Sequence, residues 1–399
     1  MPKPLVVEKP ALHGDADPAR FALWAIGFRP FYLVASVFAA LSIPLWVAQY
    51  AGWLGAPYSR GPILHGHEML FGYTLAVIAG FLFTAGRTWT GQPTPTGAAL
   101  AAYFLLWIVG RVLVFTPWET VAALVNATFP LTVAVGFAIP LAKSRNRRNY
   151  FFVALLLAFA FTAVALHLSY AGVLAWPALL SLQVGLDLVL FIIAVMGGRV
   201  IPMFTNNGIP GTQATRRPVV ERIALGSVLA LLTADVLQVS APLIVVVSLV
   251  AAFAHAARLS LWQPWRTFGT PLVWVLHVAY GWIVVYLVLR AFAALGVVAE
   301  PLAVHALTIG AIGGMTMGMI TRTARGHTGR PLVADRFEVA CYVLIQAAAL
   351  IRVFGGMIPS NAYLLTVIGS GICWSIAFTV YAVRYWPILS RPRIDGKPG

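Results

Sequence analysis

Apolar stretches of about 20 residues recur along the whole of this 399-residue chain, separated by short polar loops. No water-soluble core accommodates so much apolar surface, so the stretches read as membrane spans. In hydrocarbon every backbone N–H and C=O must be satisfied internally, and runs this long are helices rather than the shorter, alternating strands of a barrel. The expected fold class is therefore all-α, a polytopic membrane protein of about twelve transmembrane helices. The spans fall at 31–51, 64–85, 97–115, 119–141, 150–169, 174–198, 220–239, 241–261, 270–292, 301–321, 336–354 and 362–386.

The net charge of +15 resembles that of a nucleic-acid binder, but the cations follow the loops of the twelve-span arrangement. All but four of the 27 lysines and arginines fall on one side, the exceptions being Arg60, Arg111, Arg290 and Arg352. Cytoplasmic loops carry this excess, so both tails are expected in the cytoplasm, an N-in/C-in arrangement with no nucleic-acid role. The first apolar run, from near Phe31, is long enough to span, so no cleavable signal peptide is expected. The domain reading is a cytoplasmic tail over 1–30, one transmembrane domain over 31–387 and a second cytoplasmic tail over 388–399. Cys341 and Cys373 both fall within spans and read as small packing residues.

An internal repeat relates the second and tenth spans. At a shift of 238 residues His67 pairs with His305, Gly72 with Gly310, Ala76 with Gly314 and Gly80 with Gly318. The match runs on into the exit turns, where Thr90, Gly91 and Pro93 pair with Thr328, Gly329 and Pro331. A fainter copy in span six, Gly197 and Asn207–Gly208–Ile209–Pro210, suggests three four-helix units at 31–148, 149–268 and 269–387. The small residues recur every four positions on one helix face, which suits either close helix packing or a flat ring lying against each helix.

Ionisable residues are expensive in lipid and mark function by default. His65, His67 and Glu68 open span two, His167 closes span five and His305 lies one turn into span ten, all at the periplasmic level of this arrangement. His277 and Asp187 fall near mid-membrane and are a candidate pair; His255 lies nearer the cytoplasmic end, and His13 and His327 lie in cytoplasmic segments. Neutral imidazole is a common ligand of haem iron and of copper. His67 and His305, equivalent in the repeat, are the preferred axial pair for a haem, with Glu68 orienting an imidazole or relaying protons. Arg322 to Arg330, "RTARGHTGR", reads as the cytoplasmic charge signal or an anion-binding segment, about 30 Å of helix from His305.

The segments "HGHEMLFGYTLAVIAGFLFTAGRTW" at 65–89, "GGRVIPMFT" at 197–205 and "HALTIGAIGGMTMGMITRTARGHTGR" at 305–330 resemble the NnrS family, and the resemblance extends from "GFRPFYL" at 27–33 through "WVLHVAYGW" at 274–282 to the last span. It implies a haem b- and copper-containing protein of the bacterial inner (cytoplasmic) membrane that responds to or resists nitric oxide, with nitric oxide as the small-molecule ligand. If the protein is an enzyme, it is an oxidoreductase acting on nitric oxide or nitrosyl species. A more distant similarity is to the catalytic subunit of haem–copper oxidases, in which a His-Gly pair followed by Met and an aromatic begins span two. Here that pattern fits His65, Gly66, Met69 and Phe71, which makes His65 a rival to His67 as axial ligand. That superfamily carries copper histidines on spans six and seven, and this chain has none there. Copper candidates are the spare member of the His65/His67 pair, His167 and His277, with Asp187 as a further polar or proton-relay residue. A proton-coupled secondary transporter and a non-catalytic metal-binding sensor or assembly factor are the rival readings; the electron donor and any homo-oligomer are left open.

Overall fold

In a computed structural model, residues 21–54, 61–358 and 363–397 are described. Their long helices coincide with the expected spans: α1 (Phe28–Tyr50), α2 (Gly61–Thr90), α3 (Gly97–Leu113), α4 (Glu119–Ser144), α5 (Phe151–Tyr170), α6 (Ala178–Gly208), α7 (Pro218–Val236), α8 (Ala241–Leu261), α9 (Pro271–Ala294), α10 (Glu300–His327), α11 (Arg336–Val353) and α12 (Tyr363–Ser390). Among the described residues there is no strand. Ten of these helices are long and apolar enough to cross a membrane. The other two are α3, only 17 residues long, and α7, which carries Glu221, Arg222 and Asp235.

Local chemistry sets the helix ends. Proline opens α7 and α9, where its missing N–H costs no hydrogen bond. Gly91 (φ 64°) and Gly329 (φ 77°) turn the chain left-handed just beyond α2 and α10, at equivalent places in the 238-residue shift. Asp335 caps α11 by accepting from the N–H groups of Phe337 (2.9 Å) and Glu338 (3.2 Å), and the Glu338 side chain accepts from Asp335 N–H in return (2.7 Å).

The first and last helices pack together and bring both described ends of the chain to one end of the bundle. Ala22 N–H donates to the Ser390 carbonyl (2.8 Å), and the Arg29 guanidinium donates to the carbonyls of Leu389 (2.9 Å) and Arg391 (2.6 Å). The "RTARGHTGR" segment lies at this same end. Arg325 pairs with Glu338 (2.7 Å), Arg322 sits over the Phe204 ring, and the His327 carbonyl accepts from Arg393 (3.0 Å). Cys341, buried, and Cys373, half-buried, are free thiols within α11 and α12.

The glycine stripes of α2 and α10 are packing surfaces, covered by α1 and α9 and not by a flat ring. A Cβ added at Gly80 would stand 2.8 Å from Phe31 Cβ, and one at Gly318 would stand 2.8 Å from Leu276 Cδ2. At Gly310 it would meet Trp282 Cγ at 2.3 Å. In both pairs of helices, small residues on one partner admit large side chains from the other.

Both stripes run through a π-helical turn, Glu68–Thr74 in α2 and Ala306–Gly313 in α10, starting 238 residues apart. Each turn begins on the residue after a histidine, His67 or His305. Such wide turns are rare and concentrate at functional sites. Helix α6 is α-helical throughout, so the third member of the sequence pattern lacks this feature. A test of the packing compares Gly310→Ala with Gly226→Ala, whose added Cβ would meet nothing within 4 Å. The first is expected to lower the stability of the purified protein by about 1–3 kcal/mol through overpacking. The second should leave it unchanged or raise it by about 1 kcal/mol, as read from thermal unfolding in detergent.

Candidate functional site

At the end of the bundle opposite the two described termini, a cavity of about 280 Å³ lies among α1, α2, α6, α10, α11 and α12. Two histidines line it, His65 from α2 and His305 from α10, together with the indoles of Trp46 and Trp374. The His65 ring stacks on Trp46, centroids 4.9 Å apart and planes within 14°, which fixes its orientation. His305 Nδ1–H donates to the Pro301 carbonyl at 2.6 Å, one turn back on its own helix. A carbonyl only accepts, so Nδ1 carries the proton and Nε2 presents its lone pair. Metal-binding histidines are commonly prepared in this way, with one nitrogen anchored to backbone and the other free to ligate.

His67 does not line this cavity. Two residues further along α2, it is buried against His167 of α5, ring centroids 5.1 Å apart and nearly perpendicular. Its Nδ1–H donates to Glu68 Oε1 at 2.7 Å, and Arg111 of α3 donates to the same oxygen at 2.7 Å. Arg111 also donates to Asn126 Oδ1 on α4, so one buried ion pair ties α2, α3 and α4 together. The Trp107 indole N–H donates to the Gly72 carbonyl (2.9 Å) inside the π turn, supplying a partner where the regular ladder is interrupted.

The remaining titratable residues lie elsewhere. Asp187, fully buried in α6, accepts from Gln183 (3.1 Å) and from Arg290 of α9 (3.4 Å), which also holds Asp235 of α7. It is not paired with His277, contrary to the sequence expectation, because Arg290 offers it a full counter-charge from the neighbouring helix. His277 is enclosed by the Val273 carbonyl (3.0 Å), the Thr205 hydroxyl (3.3 Å) and the Trp262 carbonyl (3.4 Å), toward the end of the bundle opposite the cavity. The structure therefore brings His277 to neither His65 nor His167. His255 donates through Nε2 to the Ala224 carbonyl (3.2 Å) and accepts through Nδ1 from Tyr280 (2.6 Å), a saturated structural role. Tyr280 itself accepts from Arg258 (2.9 Å), which is bidentate on Glu221 at 2.7 and 2.6 Å. Among the described residues no group of three or more His, Cys, Asp or Glu side chains is arranged to hold a metal ion.

Sequence reasoning passed over Arg111, Arg290 and Arg352, although a signal for them was present. All three are exceptions to the charge asymmetry, cations left on the sparsely charged side. The structure buries Arg111 in an ion pair and Arg352 in the cavity wall, and half-buries Arg290 in an ion pair. The fourth exception, Arg60, lies outside the described residues.

Removing one partner of a buried pair leaves the other charge uncompensated. Arg111→Met is therefore expected to cost about 3–5 kcal/mol of stability by stranding the Glu68 carboxylate. The double variant with Glu68→Gln should recover a large part of that loss in the same unfolding assay.

No curated protein matches the chain. The family model for the NnrS protein matches residues 22–393, nearly the whole chain and every helix described above. The chain belongs to the NnrS family, and with it to the membrane proteins linked to nitric oxide.

Proposed function

We propose that the protein is a haem b- and copper-binding protein of the bacterial inner membrane acting in nitric oxide tolerance or metabolism, with the haem held between His65 and His305. The observation that carries this reading is the cavity itself. It is lined by two imidazoles from different helices, and one of them has its Nδ1 proton committed to backbone so that Nε2 is available. The donor set fits a haem: two oriented nitrogens, aromatic walls from Trp46 and Trp374, and a cationic side chain, Arg352, in the lining. In this reading both described chain ends are cytoplasmic and the cavity lies on the periplasmic side, as the charge asymmetry requires.

A bound haem would supply a redox-active iron. The chain's own contributions are separable. His65 and His305 bind; the Trp46 stack and the Pro301 carbonyl orient them; the apolar lining limits water. Nitric oxide is small and apolar, so it reaches a site within the bilayer from the lipid. Whether it is substrate, ligand or inducing stress decides between an oxidoreductase acting on nitric oxide or nitrosyl species and a non-catalytic sensor.

For copper, the contact between His67 and His167 is the arrangement that suits an ion held by two imidazoles, with Glu68 fixing the His67 tautomer as an outer-sphere carboxylate does in metal sites. His277 has no part in it. The pairing of His67 with His305 in the repeat then describes common descent of two helices, and His65 takes the place beside His305 in the cavity.

The test is a set of single alanine variants purified from membranes, each assayed for iron, copper and visible absorbance. His65→Ala and His305→Ala are expected to lose the haem absorbance while remaining in the membrane. His167→Ala should keep it and lose copper. Full haem retention in His305→Ala contradicts the assignment.

A further inference from the structure

Among the described residues, the cavity lining holds one guanidinium, that of Arg352, and one carboxylate, that of the exposed Glu300, and the two form no ion pair. Arg352, the penultimate residue of α11, is only 8% exposed and lines the cavity together with His65 and His305. Its Nη2 donates to the Tyr363 hydroxyl at 2.7 Å, and its guanidinium carbon lies 4.9 Å from the centre of the Tyr363 ring. Those contacts aim the group without neutralising it. Nη1 is buried and has no hydrogen-bond partner among the described residues, and Arg352 forms no ion pair there.

Arginines elsewhere in the bundle are answered by oxygen acceptors: Arg29, fully buried, donates to the carbonyls of Leu389 and Arg391. Arg111, Arg258 and Arg290 each face a carboxylate on another helix, at 2.7 Å for Arg111 and 2.6 Å for the closest Arg258 contact. A buried guanidinium without an ion pair is costly even at a helix end, and one held in place by a tyrosine at the edge of a cavity is organised for an anion brought by a ligand. Guanidinium groups suit carboxylates in particular, through paired N–H donors.

We infer that Arg352 anchors an anionic group of the molecule that occupies this cavity, so that the cavity accepts an amphipathic ligand with its carboxylate end at the α11–α12 side. This rests on the haem reading above, in which the carboxylate is a haem propionate. Arg352 then fixes which way round the ring enters and is a positioning residue, while His65 and His305 hold the metal.

The experiment uses full-length protein purified from haem-deficient cells and titrated with protohaem or with its dimethyl ester, in which both carboxylates are blocked. Wild type is expected to bind protohaem at least about tenfold more tightly than the diester, as one charge-assisted contact implies. Arg352→Gln should abolish most of that preference, and Arg352→Lys, which keeps the charge, should retain part of it. Equal binding of the two haems by wild type, with spectra that still depend on His305, overturns the role of Arg352 and leaves the haem site standing. An unchanged preference in Arg352→Gln does the same. Binding of neither haem by wild type overturns the haem site and this inference together. The wild-type comparison needs no substitution, so the test survives a variant that fails to fold.

Discussion

A charge buried in a helix bundle within lipid is costly without a partner, and the pairing of such charges organises much of the structure. Arg111 draws Glu68, Asn126 and so α2, α3 and α4 to one point. Arg258 clamps Glu221 and the Ala194 carbonyl, joining α6, α7 and α8. Arg290 holds Asp187 and Asp235, joining α6 and α7 to α9. Each pair loses hydration on burial, and only close, multiply bonded geometry offsets that loss. The clamps fix helix register as well as contact. At Gly198, for instance, an added Cβ would stand 1.8 Å from Arg258 Nη2, so the position beside the clamp has room only for glycine.

Within that frame, α2 and α10 are built alike and used differently. Both have a histidine immediately before a π turn, a glycine stripe along the turn and a left-handed glycine just past the end. The wide turn shifts the residues before it relative to the regular ladder. In α10 the histidine at the turn, His305, lines the cavity. In α2 the histidine at the turn, His67, bonds Glu68 and meets His167, and His65 lines the cavity instead. Glu68 has no counterpart in α10, where Ala306 follows His305.

Much of this was legible in the sequence because hydrocarbon imposes a length and a polarity on every span. The expected spans coincide with the observed helices to within a few residues at most ends; the largest departure is α6, which continues to Gly208. The glycine stripes and the equivalence of α2 and α10 were visible as spacing. The side chains that meet across helices were not, because a spacing rule holds along one helix and says nothing of its neighbour. Asp187 therefore looked like a partner for His277, when Arg290 lay closer with a full charge. The contact of His67 with His167, and the ion pair of Glu68 with Arg111, 43 residues away in the chain, were equally invisible to spacing. The most useful signal was an irregularity. The few arginines that break the charge asymmetry include the ones that shape the site, since a cation left on the sparsely charged side needs a structural reason to be there.

The central claim is that the cavity between α2 and α10 holds a haem ligated by one histidine from each. The most direct measurement is the absorption spectrum of the detergent-purified wild-type protein, oxidised and dithionite-reduced, with iron assayed on the same sample. The account predicts a sharp b-type reduced band with iron close to one per chain and the low-spin character of two nitrogen ligands. A colourless, iron-free protein would contradict it and make a transporter the better reading of the bundle.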